Sequence, residues 1–198
     1  MPKVGMEEVR RQQLIDATLE SVEKFGLQGT TISTISRLAG VSSGIISHYF
    51  GGKQALLEAT VRFLLEQLKQ DLLAQIHGQP SPVDRLMMIV EANFTRLQRS
   101  ERAAKTWLAF WAQSMHSEDL MRLQRINAAR LEANLRYSFR SLIDASQVRN
   151  VAAMTAAMID GYWLRAALSG SDGQAFDLAL HNCKAFIHLM LEKHQARN

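Results

Sequence analysis

The chain is poor in the residues that build most alternatives to a helical fold. It has one cysteine, Cys183, in 198 residues, which excludes an intrachain disulfide and suits a reducing cytoplasm. No Cys-x-x-Cys occurs and the six histidines are scattered without a close ligand pair, so neither a structural metal nor another cofactor is expected. Prolines number only three, Pro2, Pro80 and Pro82, which leaves the 116 residues after Pro82 free of that helix breaker. No stretch alternates apolar and polar residues over strand length; the expected class is all-α. A Gly-rich phosphate loop and a Gly-x-Ser-x-Gly turn are also missing, which counts against an enzyme. The start lacks the apolar core of a signal peptide. The most apolar window, Val151 to Leu168, is interrupted by Asp160 and Arg165, so a membrane span is not expected.

What is present is an ordinary globular balance, 47% hydrophobic and 21% charged, with length for one or two small domains. The net charge of +4 is unevenly placed. Residues 1 to 60 hold six basic and six acidic groups, whereas the segment from Arg96 to Arg149 holds ten basic against five acidic. That second segment reads as solvated helix surface. Any nucleic-acid contact in the first 60 residues must therefore rest on geometry and local placement instead of bulk charge.

Residues 40 to 50, Gly-Val-Ser-Ser-Gly-Ile-Ile-Ser-His-Tyr-Phe, supply that geometry. Gly40 follows an apolar helical run, Thr31 to Ala39, and can take the positive φ that ends a helix. Ser42 stands at an N-cap position. Val41, Ile46 and Phe50 give the next short helix one buried stripe. Its opposite face carries Ser43, Gly44, Ile45, Ser47, His48 and Tyr49, a small, hydroxyl-rich surface that can enter a DNA major groove and read base edges. Lys53 then sits in the first turn of a long helix, placed with Tyr49 for phosphates. Helix, tight turn, recognition helix and basic helix start together resemble the N-terminal domain of TetR-type transcriptional repressors, over roughly residues 8 to 60.

The remaining chain reads as further helices. Helix one, about Glu7 to Phe25, has the stripe Ile15, Leu19, Val22 and Phe25, before a turn at Gly26 to Gly29. The arm ahead of it, with Lys3, is short enough to trail along DNA. Helix four, about Lys53 to Ile76, is apolar on more than one face, as a helix buried on two sides would be. The proline-rich break from His77 to Pro82 ends it. Ser81-Pro82-Val83-Asp84 reads as a helix start, and helix five runs to about Ser100. Helix six spans about Arg102 to Met115, helix seven follows a Ser117 cap, and helix eight, Gln147 to Leu168, is rich in small residues including Gly161. After a turn at residues 169 to 173, helix nine places Phe176, Leu180, Cys183 and Ile187 on one face. The resemblance implies a nine-helix TetR-type architecture. A helix-turn-helix domain, 1–52 (helix-turn-helix about 31–50), would be joined by helix four to a ligand-binding and dimerisation domain, 53–198. It also implies that the capping Thr31 meets a phosphate, and that helices eight and nine, through Gly161, Phe176, Leu180, Cys183 and Ile187, form half of a four-helix homodimer interface. Dimers are independently favoured because one short recognition helix reads few base pairs.

Trp107, Phe110 and Trp111 fall at i, i+3 and i+4 in helix six, and Tyr162 with Trp163 lie beside Asp160 in helix eight. Aromatics at helical spacing ordinarily pack a core. With a carboxylate, Asp160 or Glu91, they also suit a quaternary ammonium ion, which has no N–H to donate and is held by ring faces and diffuse negative charge. The segments Gly44 to Phe50, Trp107 to Trp111 and Ile159 to Gly170 resemble the choline-responsive repressors of glycine-betaine synthesis genes, which implies choline as effector and operator DNA as partner. Asp-Gly in helix eight is common among TetR-type proteins with unrelated ligands, so a structural Asp160 stays open. So do a repressor tuned to another lipophilic cation, a small-molecule enzyme with a DNA-binding head, and a nucleoid-type structural protein.

Overall fold

A computed structural model describes residues 6–76, 78–170 and 173–194. Lys3 of the trailing arm, His77 of the proline-rich break and residues 171–172 of the last turn lie outside them. Among the described residues there are nine helices and no strand, and no helix is long and apolar enough to cross a membrane.

The helices sort into two compact units. The first runs up to Glu66 and includes Glu101–Met121; the second comprises Gln67–Ser100 and the chain from Arg122 onward.

In the first unit, α1 (Met6–Gly29) buries Leu14, Ile15, Leu19 and Val22 on one stripe. Helical geometry fails at Gly26 (φ 66, ψ 178), and Thr30 closes the break by donating its N–H and hydroxyl to the Gly26 carbonyl at 3.1 and 2.7 Å. The break corrects the expected stripe at its end. Phe25 is exposed, and the Arg37 guanidinium lies over its ring at 5.8 Å. Helices α2 (Ile32–Ala39) and α3 (Ser43–Phe50) bury Ile35, Ala39, Ile46 and Phe50, while Val41, expected in that stripe, is only half-buried. Helix α4 (Lys53–Gln75) buries Leu56, Thr60, Val61 and Leu64 and nothing beyond them. Its wide apolar surface is therefore covered in the N-terminal half alone, and Leu73 is exposed. Helix α6 (Glu101–Ser114) packs along α1. Its first turns are tied there: Arg102 Nε donates to Glu23 Oε2 at 3.0 Å and Lys105 Nζ to the Glu23 carbonyl at 2.9 Å.

In the second unit, α5 (Pro82–Asn93) starts as its sequence indicates. Ser81 accepts the Asp84 N–H at 3.1 Å and returns its hydroxyl to the Asp84 carboxylate at 2.6 Å, with proline at the first position. It ends seven residues before the expected Ser100, and polar side chains explain why. Asn93 bonds back to the Ile89 carbonyl at 2.8 Å and Thr95 turns away to Asp71 at 2.9 Å, both competing with continued helix. Helix α7 (Glu118–Phe139) supplies Leu135 and Phe139 to this core, while Ile126 is exposed. Asp144 caps α8 (Ala145–Leu168) by accepting the Ser146 N–H at 2.8 Å. Helix α9 (Gly173–His194) lies against α8 and α5, and Ile89, Val90, Val151, Ile159, Phe176 and Ile187 form the interior.

Candidate DNA-reading helix and effector site

The helix-turn-helix is held by backbone chemistry that its sequence specifies. Thr31 and Thr34 cap α2 reciprocally: the Thr34 N–H donates to Thr31 Oγ1 at 3.1 Å and the Thr31 N–H to Thr34 Oγ1 at 2.7 Å. Gly40 ends α2 in the left-handed region (φ 64, ψ 35) and Gly51 ends α3 likewise (φ 77). A side chain at either position would strain the turn. Ser42 occupies the N-cap of α3 but makes no side-chain bond there, so its hydroxyl does not cap the helix as its position suggested.

Ser43, Gly44, Ser47 and His48 are exposed along one side of α3, and Ile45 and Tyr49 are half-buried beside them. His48 and Tyr49 meet edge to face with ring centres 4.9 Å apart. The exposed Thr31 begins α2 and the half-buried Lys53 begins α4. All eight residues expected to meet DNA thus lie within one unit. Two further side chains brace this motif without having been singled out: Arg11 donates to the Tyr49 carbonyl and Gln13 to the Ala39 carbonyl, each at 2.5 Å. Their partners lie 38 and 26 residues away, so no local pattern marks them.

The aromatic residues fall into one cluster per unit. In the first, Trp107 meets Phe110 edge to face (5.8 Å) and Trp111 at a tilt (6.4 Å); Trp107 and Phe110 are buried and Trp111 is half-buried. A void of about 20 Å³ beside Phe110, walled by Val22, Leu57, Thr60, Thr106 and Ala109, has room for one water and none for a quaternary ammonium ion. In the second, Trp163 is buried against Phe176 of α9 at 6.1 Å, and Tyr162 is half-buried. Burial makes Trp107, Phe110 and Trp163 packing residues, with Trp111 and Tyr162 keeping accessible ring surface.

The two candidate counter-charges separate cleanly. Glu91, one of the two candidate counter-charges, is paired with Lys184. Asp160 has no ion pair or hydrogen bond from a described residue. Loss of hydration raises its carboxyl from 3.8 to about 6, although the residue is exposed.

Residues 14–60 match the bacterial regulatory proteins of the tetR family, and residues 82–192 match the C-terminal domain of BetI-type transcriptional repressors. The chain belongs to the TetR family, with a BetI-type C-terminal domain. The HTH-type transcriptional regulator BetI 2 of Chromohalobacter salexigens is 53% identical over 171 residues, covering 85% of this chain and 83% of that protein. BetI of Klebsiella pneumoniae is 51% identical over 172 residues, 86% and 88% of the two chains. Among solved structures, a transcriptional regulator from Saccharomonospora viridis in complex with choline superposes with a TM-score of 0.81 at 20% identity, over 96% of this chain and 100% of that one. One from Pseudomonas aeruginosa gives 0.79 at 26% identity, over 93% and 91%. This TetR-family protein is accordingly a DNA-binding transcriptional repressor with a helix-turn-helix.

The repressor's last two helices correct one expectation. Phe176, Cys183 and Ile187 are 1%, 0% and 0% exposed within the single chain, because they pack α9 onto its own neighbours. They have no surface to offer a second subunit. Gly161 and Leu180 are half-buried. The apolar residues left outward are Met154 and Leu168 on α8 and Leu178 and Leu189 on α9. Met154, Gly161 and Leu168 are spaced by seven, and Leu178 and Leu189 by eleven, so each set shares a helix face.

Proposed function

We propose that this repressor works in the cytoplasm as a homodimer on a near-palindromic operator controlling choline-to-glycine-betaine genes, with choline as the effector that sets its DNA affinity. It acts as a regulator and not as an enzyme. The functional division lies at the start of α4: residues 1–52 read DNA, and 53–198 bind effector and dimerise. Ser43, Gly44, Ile45, Ser47 and His48 face bases, while Thr31, Tyr49 and Lys53 hold phosphates. The dimer face is the outward apolar side of α8 and α9, with Gly161 and Leu180 at its margin.

The observation that carries the choline reading is Asp160, a carboxylate whose pKa desolvation raises to about 6 and which has no cationic partner among the described residues, with Tyr162 and Trp163 in the following turn. The ammonium head of choline supplies the missing charge with no N–H to place, and a ring face such as that of Tyr162 holds it. The BetI relatives at about half identity and the choline bound by the Saccharomonospora viridis regulator support the same ligand. Glycine betaine carries a carboxylate of its own and is disfavoured beside Asp160.

The test is operator binding titrated with choline, betaine aldehyde and glycine betaine. Choline is expected to shift DNA affinity by about 5- to 150-fold, the usual range for a coupled site, and glycine betaine to shift it far less. Equal indifference to all three would overturn the reading.

A further inference from the structure

Arg11 and Gln13 of α1 reach the helix-turn-helix at equivalent places. Arg11 Nη1 donates to the Tyr49 carbonyl, in the last turn of α3, and Gln13 Nε2 donates to the Ala39 carbonyl, at the end of α2. Carbonyls of a final turn lack intrahelical donors and need partners from elsewhere. Arg11 does more than satisfy one. Its positive charge stands at the negative end of the α3 dipole, and its guanidinium carbon lies 4.3 Å from the centre of the Phe50 ring. Phe50 is itself buried in the head. Arg11 is half-buried and has no carboxylate partner among the described residues, so these two contacts account for its placement.

Helix α3 has few other restraints. It is eight residues long, buries only Ile46 and Phe50, and has no side-chain bond at its N-cap. Two apolar side chains one turn apart resist rotation about the helix axis but resist tilting poorly. The carbonyl held by Arg11 lies at the far end from the turn, where a restraint has the longest lever arm against tilt.

We propose that Arg11 is a positioning residue for operator reading: it fixes the tilt of α3 from its C-terminal end without touching DNA. The inference rests on α3 being the helix that reads bases. Base-edge hydrogen bonds demand alignment of small side chains, whereas phosphate contacts position the protein and carry no sequence information. Losing the brace therefore degrades specific binding and spares non-specific binding.

The experiment uses the full-length protein and a duplex selected from a random-sequence pool by the wild type, with a scrambled duplex for comparison. Affinities of Arg11→Ala, Arg11→Gln, Arg11→Lys, Gln13→Ala and His48→Ala are measured by fluorescence anisotropy over a salt series, and folding by circular dichroism. For Arg11→Ala and Arg11→Gln, affinity for the selected duplex should fall about tenfold or more, a loss like that of one mismatched base pair. Affinity for the scrambled duplex and the salt slope should stay as in wild type. Arg11→Lys, which keeps a charge and a donor, should recover part of the ratio, and Gln13→Ala should show a smaller loss of the same kind. Equal losses on both duplexes with a slope shallower by about one would make Arg11 a phosphate contact and overturn the proposal. So would unchanged affinity for the selected duplex in folded variants. If His48→Ala leaves the ratio intact, the reading of α3 itself fails, an outcome separate from any result at Arg11.

Discussion

Replacing Asp160 by asparagine tests the effector site through its dependence on pH. With a pKa of about 6, the carboxyl is about nine-tenths ionised at pH 7 and about one-tenth at pH 5. A quaternary ammonium ion gains its counter-charge only from the ionised form. Choline affinity in the wild type should therefore fall about tenfold from pH 7 to pH 5, and Asp160→Asn should bind weakly at both. The same shift has a consequence for stability of opposite sign. The folded pKa lies above the ordinary value of 3.8, so the folded protein favours the protonated acid. That stabilisation is fully present below about pH 3.8 and is lost as pH rises through about 6. Asp160→Asn should accordingly raise the melting temperature at pH 7 and change it little at pH 4. Calorimetric titration with choline and thermal melts at each pH measure both effects. A variant that binds choline as the wild type does, with the same pH trend, would show that Asp160 is not the counter-charge.

Lys53→Ala should weaken binding to all duplexes alike and reduce the salt slope by about one, whereas Ser43→Ala should change sequence preference at a cost of about 1–3 kcal/mol per lost base contact; anisotropy over a salt series separates the two. Tyr162→Ala should weaken choline binding by about 0.5–2 kcal/mol with the fold intact, while the buried Trp107→Ala should cost about 3–5 kcal/mol of stability; calorimetry and denaturant melts divide these roles. Leu189→Glu, on the outward face of α9, should yield folded monomers with little operator affinity, whereas Ile187→Glu, fully buried, should fail to fold; sedimentation at micromolar concentration checks the first and circular dichroism the second.

Signals confined to a few neighbouring residues were the legible ones. The Thr31 cap, the left-handed Gly40 and the Ser81–Pro82–Asp84 start act over one turn of chain, and together with periodicity and the family resemblance they outlined the nine helices found among the described residues. What escaped depends on partners distant in sequence. Glu91 looks like a free acid until Lys184, 93 residues away, is placed beside it. The stripe of Phe176, Cys183 and Ile187 is equally apolar whether it faces its own core or a second subunit, and only the position of α5 and α8 decides. Likewise Trp107, Phe110 and Trp163 have the composition of a cage and the burial of a core. Helix α5 stopped early because Asn93 and Thr95 found acceptors that no propensity reports.

Cys183, the sole thiol, is fully enclosed between α9 and its neighbours. Burial pushes its pKa up to about 12, and it points its proton at the Met158 carbonyl 3.8 Å away. Oxidants and alkylating agents attack the thiolate, a form this residue scarcely populates and reagents cannot reach without opening the subunit. Peroxide, disulfide stress and electrophilic metabolites therefore find no accessible thiol in the folded repressor. Modification of Cys183 thus waits on a local opening of α9 from α8, and its rate reports how often those two helices part.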